Sequence, residues 1–264
     1  MSFNFYINNG VVTSIMTSLR AELFKFNHQR SALAGILILI LLMVYSVLTT
    51  KVDSTQVIFE FGAVQWIPII MIAVGSTFFA MEYQNRTILI LLYKNTKRWQ
   101  IYWAKLMIVW LYSLVLTVIA TLLTIVLKFL LIRTPWSALI SKHQTLLTLL
   151  TGNVIGTVIY ALFIVTLSFM LIMLIKINVA VIGIGLALGF LGAGISVALM
   201  GAFTSLIPIL RWNPLNMIFI TQQLANPAYA AVSHLSFFEI IGGNLSYAAI
   251  FIILGYGLFK KRRI

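Results

Sequence analysis

The sequence predicts an all-α polytopic membrane protein. It has six transmembrane helices, an N-terminal interfacial amphipathic helix, and a broken, re-entrant segment before the last helix. Three observations carry this reading. Of 264 residues, 61% are hydrophobic and only 9% are charged, whereas soluble domains run at roughly 45–50% apolar and about 25% charged. So little polar material cannot cover a soluble surface. Six stretches also approach the roughly 20 apolar residues needed to cross about 30 Å of hydrocarbon. Finally, the basic residues gather on one side of those stretches, the pattern of cytoplasmic loops.

The chain reads as one membrane domain over residues 1–264. Residues 11–30 hold VVTSIMTSLRAELFKFNHQR. On a helix Val12, Ile15, Met16, Leu19, Leu23 and Phe26 fall within about 100°, with Thr17, Ala21, Lys25 and His28 opposite. Phe24 interrupts the polar face, and Glu22 precedes Lys25 by three residues, a favourable helical spacing. This predicts a helix lying in the membrane plane. The spans are expected at 31–50, 63–81, 106–127, 154–175, 179–200 and 240–259. The fifth lies in the uncharged run 177–210, whose six glycines from Gly183 to Gly201 and Pro208 argue for one crossing followed by a break. Pro208, Pro214 and Pro227 then predict short helices or re-entrant pieces over 203–244, an extracellular region. Gly242, Gly243, Asn244 and Ser246 predict an irregular first half of the last span. Other protein must cover it, because lipid cannot satisfy a bare backbone.

The formal charge is +13. In a soluble chain that would point to nucleic acid, but in a greasy one the balance is topological. With both termini in the cytoplasm, thirteen basic residues lie inside, and five (Lys51, Lys128, Arg133, Lys142 and Arg211) lie outside. Anionic lipid of the inner leaflet would reinforce that bias. The first ten residues hold no basic region leading into an apolar one, so no cleaved leader is expected.

Residues 82–105 are the inside loop with the most internal order. They carry Glu82 and the bases Arg86, Lys94, Lys97, Arg98 and Lys105 around the apolar run 88–93. A positive-inside anchor accounts for the net charge. It does not account for an apolar run between charges, which must pack on the interface, on other helices or on a partner.

These two stretches, LRAELFKFNHQRS and MEYQNRTILILLYKNTKRWQIYWAK, resemble the membrane subunit of a type-2 ABC exporter. That family typically has a short amphipathic helix with an E-L-x-K pattern, matched here by Glu22, Leu23 and Lys25. After the second span it usually has a Glu, a Gly-Thr pair, a Pro-x-x-Arg turn and a Lys. Glu82, Thr87, Arg98 and Lys105 match; Arg86 stands where Gly is usual and Asn95 near the usual Pro. The resemblance implies that residues 82–105 form a coupling element docked on a separate ATPase, with Glu82, Arg86, Thr87, Lys97, Arg98 and Lys105 transmitting its movement. It implies two ATPase copies carrying ATP and Mg, a second copy of this permease or a related one, and a bacterial plasma membrane. Compact six-span members serve peptide-antibiotic export and immunity of the lantibiotic or bacitracin type, which makes an antimicrobial peptide the candidate substrate.

Other classes find little support. No GxxxxGK[ST] phosphate loop occurs, so an ATPase would be a separate chain. The chain has no cysteine, its histidines (His28, His143 and His234) are far apart, and no HExxH occurs. An enzyme site, a metal site and a cofactor are therefore not expected. The acids Glu22, Asp53, Glu60, Glu82 and Glu239 fall near expected span boundaries, which argues against an ion-coupled secondary transporter. A membrane scaffold or insertion factor is the other alternative. Gly152/Gly156 and Gly185/Gly189 allow close helix packing, within the chain or at a dimer seam. Trp99, Tyr102, Trp103, Trp110 and Tyr112 read as an interfacial belt. Ser46, Thr117, Thr121, Thr157, Thr166 and Ser168 are in-span hydroxyls, more often bonded to their own helix than lining a path.

Overall fold

A computed structural model describes residues 19–84, 98–141 and 144–261. Among the described residues the fold is all-α apart from one small hairpin. Helix α1 covers 19–27 and turns directly into α2, Arg30–Thr49. A short helix α3, Ser54–Ile58, starts where the Asp53 carboxylate accepts from the Thr55 and Gln56 backbone N–H groups at 2.9 and 3.1 Å. This is a standard helix N-cap. One tight turn, Glu60–Gly62, leads into α4, Ala63–Gln84. Then come α5, Arg98–Leu131, the antiparallel strands β1 (Leu139–Ser141) and β2 (Gln144–Thr145), α6 (Leu146–Ile175) and α7 (Asn178–Ala202). A string of short turns holds α8 (Ile207–Leu210), α9 (Ile220–Gln223) and α10 (Ala230–Ser233), and α11, Phe237–Lys261, closes the chain.

Six of these helices are long and apolar enough to cross a membrane: α2, α4, α5, α6, α7 and α11. They alternate in direction, so Arg30, Lys105, Lys176 and Lys260 gather at one end of the bundle. Lys51, Lys128, Arg133 and Arg211 gather at the other. Helices α4 and α6 are the inner pair: 72% and 56% of their most apolar windows are buried, against 17–28% for the other four. The outer helices turn Leu37, Leu41, Leu122, Phe129, Leu191 and Ile253 outward, as lipid-facing surfaces do.

Several boundaries differ from the sequence expectation. Helix α5 already includes Arg98, the first described residue after 84, so Arg98 and Lys105 are helical. At 34 residues it is about 51 Å long at 1.5 Å per residue, longer than the hydrocarbon is thick. The last span is a continuous helix through its glycines, not an irregular one. The irregular backbone lies before it and is covered by protein. Gly152 and Gly156 of α6 make that possible. A Cβ at Gly152 would sit 2.6 Å from the Leu224 carbonyl oxygen, and one at Gly156 2.7 Å from that of Ile220. The first GxxxG pair therefore seats α9 against α6 within the chain. The second, Gly185/Gly189, packs on Ile72 and Ile69 of α4.

Buried amides hold the outer segment. Asn216 Nδ2 donates to the Arg211 and Ser233 carbonyls at 2.6 and 2.8 Å. Gln223 donates to the Leu235 carbonyl at 2.7 Å and accepts from Ser233 Oγ at 2.6 Å. Asn244 of α11 donates to the Met217 carbonyl at 3.2 Å. Each satisfies a backbone oxygen that the broken helices leave open, as buried polar groups must be.

Candidate functional site

Those sequence-predicted site residues that the structure describes converge at the end of the bundle that carries Arg30 and Lys260. Helix α1 lies against the bundle there through Phe26, whose ring meets those of Phe78 and Tyr112 edge-on, each at 5.1 Å. Leu19 is partly buried on the same core, whereas Leu23 is 46% exposed. The helix therefore aims the stripe of Leu19, Glu22 and Phe26 inward, a spacing of three then four residues. Glu22 is 3% exposed.

A carboxylate so placed needs cations, and among the described residues Lys25 and Lys105 reach it. Lys25 Nζ lies 2.6 Å from Glu22 Oε1, the i,i+3 pair the sequence implies. Lys105 Nζ lies 2.8 Å from Glu22 Oε2, and its side chain is 1% exposed. The same ammonium sits 3.9 Å from the centroid of the Phe78 ring, a cation–π contact. One ion cluster thus fastens α1 to α5 and α4. Arg98, at the start of α5, donates from Nη1 to the Lys260 carbonyl at the end of α11 at 2.8 Å. Asn178, at the start of α7, donates to Thr77 of α4 at 3.0 Å.

Arg86, Thr87 and Lys97 lie outside the described residues, as does the side chain of Glu82, whose backbone is in the last turn of α4. Of the coupling set, Lys105 and Arg98 are thus placed. Val12, Ile15 and Met16 of the amphipathic stripe, and Thr17 opposite them, also lie outside the described residues.

Sequence reasoning missed the hub beneath this cluster. Tyr102 is fully buried, against Phe79, Phe169, Tyr256 and Phe259 at ring distances of 5.8–6.1 Å. These rings come from α4, α5, α6 and α11. Tyr102 and Tyr112 are therefore core residues and not part of an interfacial belt, while Trp99 is 44% exposed. Tyr112 donates to the Ala32 carbonyl at 2.6 Å, with Gly35 leaving room for its hydroxyl. The in-span hydroxyls of Thr117, Thr157 and Thr166 bond to carbonyls of their own helices at 2.8–2.9 Å.

A cavity of about 370 Å³ opens between α4, α6 and α7. Pro68, Ile69, Ile72, Tyr160, Ile164 and Phe190 line it, with Gln65, Thr221 and Gln222 adding polar atoms and no charged side chain present. Pro68 has no N–H for the Val64 carbonyl, and both residues are part of the lining.

Near the opposite end, Glu60 is the second buried acid among the described residues. It is fully buried although it stands at the boundary of its span, so position in sequence misjudged its surroundings. Its Oε1 is 2.7 Å from Thr121 Oγ1 on α5. No group of three metal-ligating side chains forms among the described residues.

Fold and site together define a six-helix multi-pass membrane protein. The chain belongs to the family described as "protein of unknown function (DUF2705)", which it matches over residues 46–264. The match begins within α2, so α1 and Glu22 fall outside it. No curated protein matches the chain.

Proposed function

We propose that this chain is the permease subunit of an ATP-driven exporter of the type-2 ABC class. It forms the path for an amphipathic or apolar substrate and takes its power from a separate ATPase. The observation that carries the reading is the fastening of α1, α4, α5 and α11 at one end of the bundle by Glu22, Lys105, Phe78 and Arg98. A partner pressing on residues 82–105 would move these helices together, because the ion cluster and the α5–α11 bond leave no single helix to yield alone. The uncharged cavity between α4, α6 and α7 suits an apolar or amphipathic substrate, with an antimicrobial peptide as the leading candidate. The thirteen-to-five basic asymmetry supports placing the fastened end and both termini in the cytoplasm of a bacterial cell. In this arrangement two ATPase copies bind below a pair of permeases, and ATP and Mg sit on the ATPase. The test is substrate-stimulated ATP hydrolysis by the complex in vesicles, together with its loss in Arg98→Ala while the ATPase still co-purifies. A permease that purifies alone and moves substrate without ATP would refute it.

One observation favours a second reading, an ion-coupled secondary transporter. Glu60 is an acid buried at the head of a span, where such carriers place ionisable groups. Transport that follows an ion gradient and ignores ATP would establish it.

A further inference from the structure

We infer that Glu60 is a proton-binding site: its carboxyl group carries a proton in this conformation and donates it to Thr121. The argument is one of hydrogen-bond stoichiometry. Thr121 Oγ1 lies 2.7 Å from Glu60 Oε1 and 2.9 Å from the carbonyl oxygen of Thr117, one turn earlier on α5. A hydroxyl has one hydrogen and cannot donate to both. The Thr117 carbonyl is acceptor only, so the arrangement is satisfied throughout when Oε1–H donates to Thr121 and Thr121 donates to Thr117. Glu60 Oε2 then is the carbonyl oxygen of a carboxylic acid. It has no hydrogen-bond partner among the described residues, which a neutral carbonyl tolerates far better than an anionic oxygen.

Among the described residues no counter-charge pairs with Glu60. The elements against the Glu60 turn are α2, α3, α4 and α5. Their charged groups nearest in sequence are Lys51, Asp53 and Lys128. Lys51 is exposed after α2, Asp53 caps α3, and Lys128 lies over the Trp136 ring at 4.7 Å. None forms an ion pair with Glu60 among the described residues. Helix α6, which reaches the same turn through Asn153 Nδ2 and the Ile58 carbonyl at 2.8 Å, has no charged residue.

The backbone makes the site a device. Glu60, Phe61 and Gly62 all have positive φ, at 48°, 49° and 88°. Two non-glycine residues persist there only where the surroundings hold them. The Glu60–Thr121 bond is one such hold, and Phe59 and Gly62, on either flank, line the cavity. Loss of the proton would leave an uncompensated charge in an apolar site, and the turn would have to open toward water, moving the cavity wall. The inference holds for either transport reading.

The test is infrared spectroscopy of the full purified chain in lipid nanodiscs, so it is independent of any partner. At neutral pH the wild type should show a carboxylic acid C=O band at the high-frequency end of its range, because the carbonyl accepts no hydrogen bond. Glu60→Gln keeps a donor for Thr121 and should fold, and the band should vanish. Thr121→Val, which leaves the helix bond of the Thr117 carbonyl intact, should shift or abolish it. Carbon-13 labelling of glutamate in the wild type assigns the band without any substitution. Absence of a glutamic acid band in the wild type at neutral pH, or its persistence in Glu60→Gln, would overturn the proposal.

Discussion

Lys105→Met should be among the more damaging single changes at the fastened end. The Lys105 and Glu22 side chains are 1% and 4% exposed and 2.8 Å apart. Breaking a buried pair by removing one member costs about 3–5 kcal/mol where nothing else offsets the remaining charge. Lys25 still reaches Glu22 at 2.6 Å but from a side chain that is 36% exposed, so it offsets only part of that cost. Glu22→Leu should also destabilise, because it removes the carboxylate 2.8 Å from the Lys105 ammonium. The double variant should cost far less than the sum, because an apolar replacement of a whole buried pair is often neutral or stabilising. Thermal unfolding in nanodiscs reads this as a double-mutant cycle. At roughly 2–4 °C per kcal/mol for a chain near this size, Lys105→Met should lower the midpoint by up to about 20 °C. Lys25→Ala should lower it by no more than a few degrees. Strictly additive changes, or singles as mild as Lys25→Ala, would mean that Glu22 and Lys105 do not hold α1 to the bundle.

Gly156→Val should cost at least the ~1–3 kcal/mol of an overpacked core, because a Cβ there meets backbone, 2.7 Å from the Ile220 oxygen and 2.8 Å from Thr221 Cα. Gly183→Ala, with nothing within 4 Å, should be neutral or gain about 0.5–1 kcal/mol; both are read by thermal midpoint. Asn216→Leu orphans the Arg211 and Ser233 carbonyls at about 1–3 kcal/mol for each buried group. Protease added from outside should then cut between α7 and α11 faster than in the wild type. Single cysteines in this cysteine-free chain at the exposed positions Thr55 and Ala231 should react with an impermeant maleimide from outside the cell. Reaction only from the cytoplasm would invert the proposed orientation.

The spans were legible because crossing a bilayer requires length and apolarity, and both are written locally. The six helices follow from that alone, although the helical run through Arg98–Lys105 does not: Trp99, Tyr102 and Lys105 find neighbours that are distant in sequence. Glu22 and Lys105 were legible as family-like residues but not as a pair. The signal for half of it was present, since Glu22 falls between Leu19 and Phe26 on the inward stripe. Nothing local says that a lysine in IYWAKLMIVW meets it. The Glu60 turn was illegible for a related reason. Its position marks it as a boundary residue, and only the packing of α2, α3 and α5 around it makes the boundary dry. Glycines misled in α11, where Gly242 and Gly257 have open space around them and Gly243 and Gly255 admit the Met217 and Tyr102 side chains, so they ease packing without breaking the helix.

The most direct test of the permease reading is to purify the full chain gently from its native membrane, identify what remains bound in stoichiometric amount, and reconstitute it. The proposal expects a Walker-motif ATPase subunit. It also expects vesicles in which ATP hydrolysis and movement of an amphipathic peptide rise together and fall together in Arg98→Ala. A chain that carries no ATPase, or whose transport runs undiminished on an ion gradient without ATP, would contradict it.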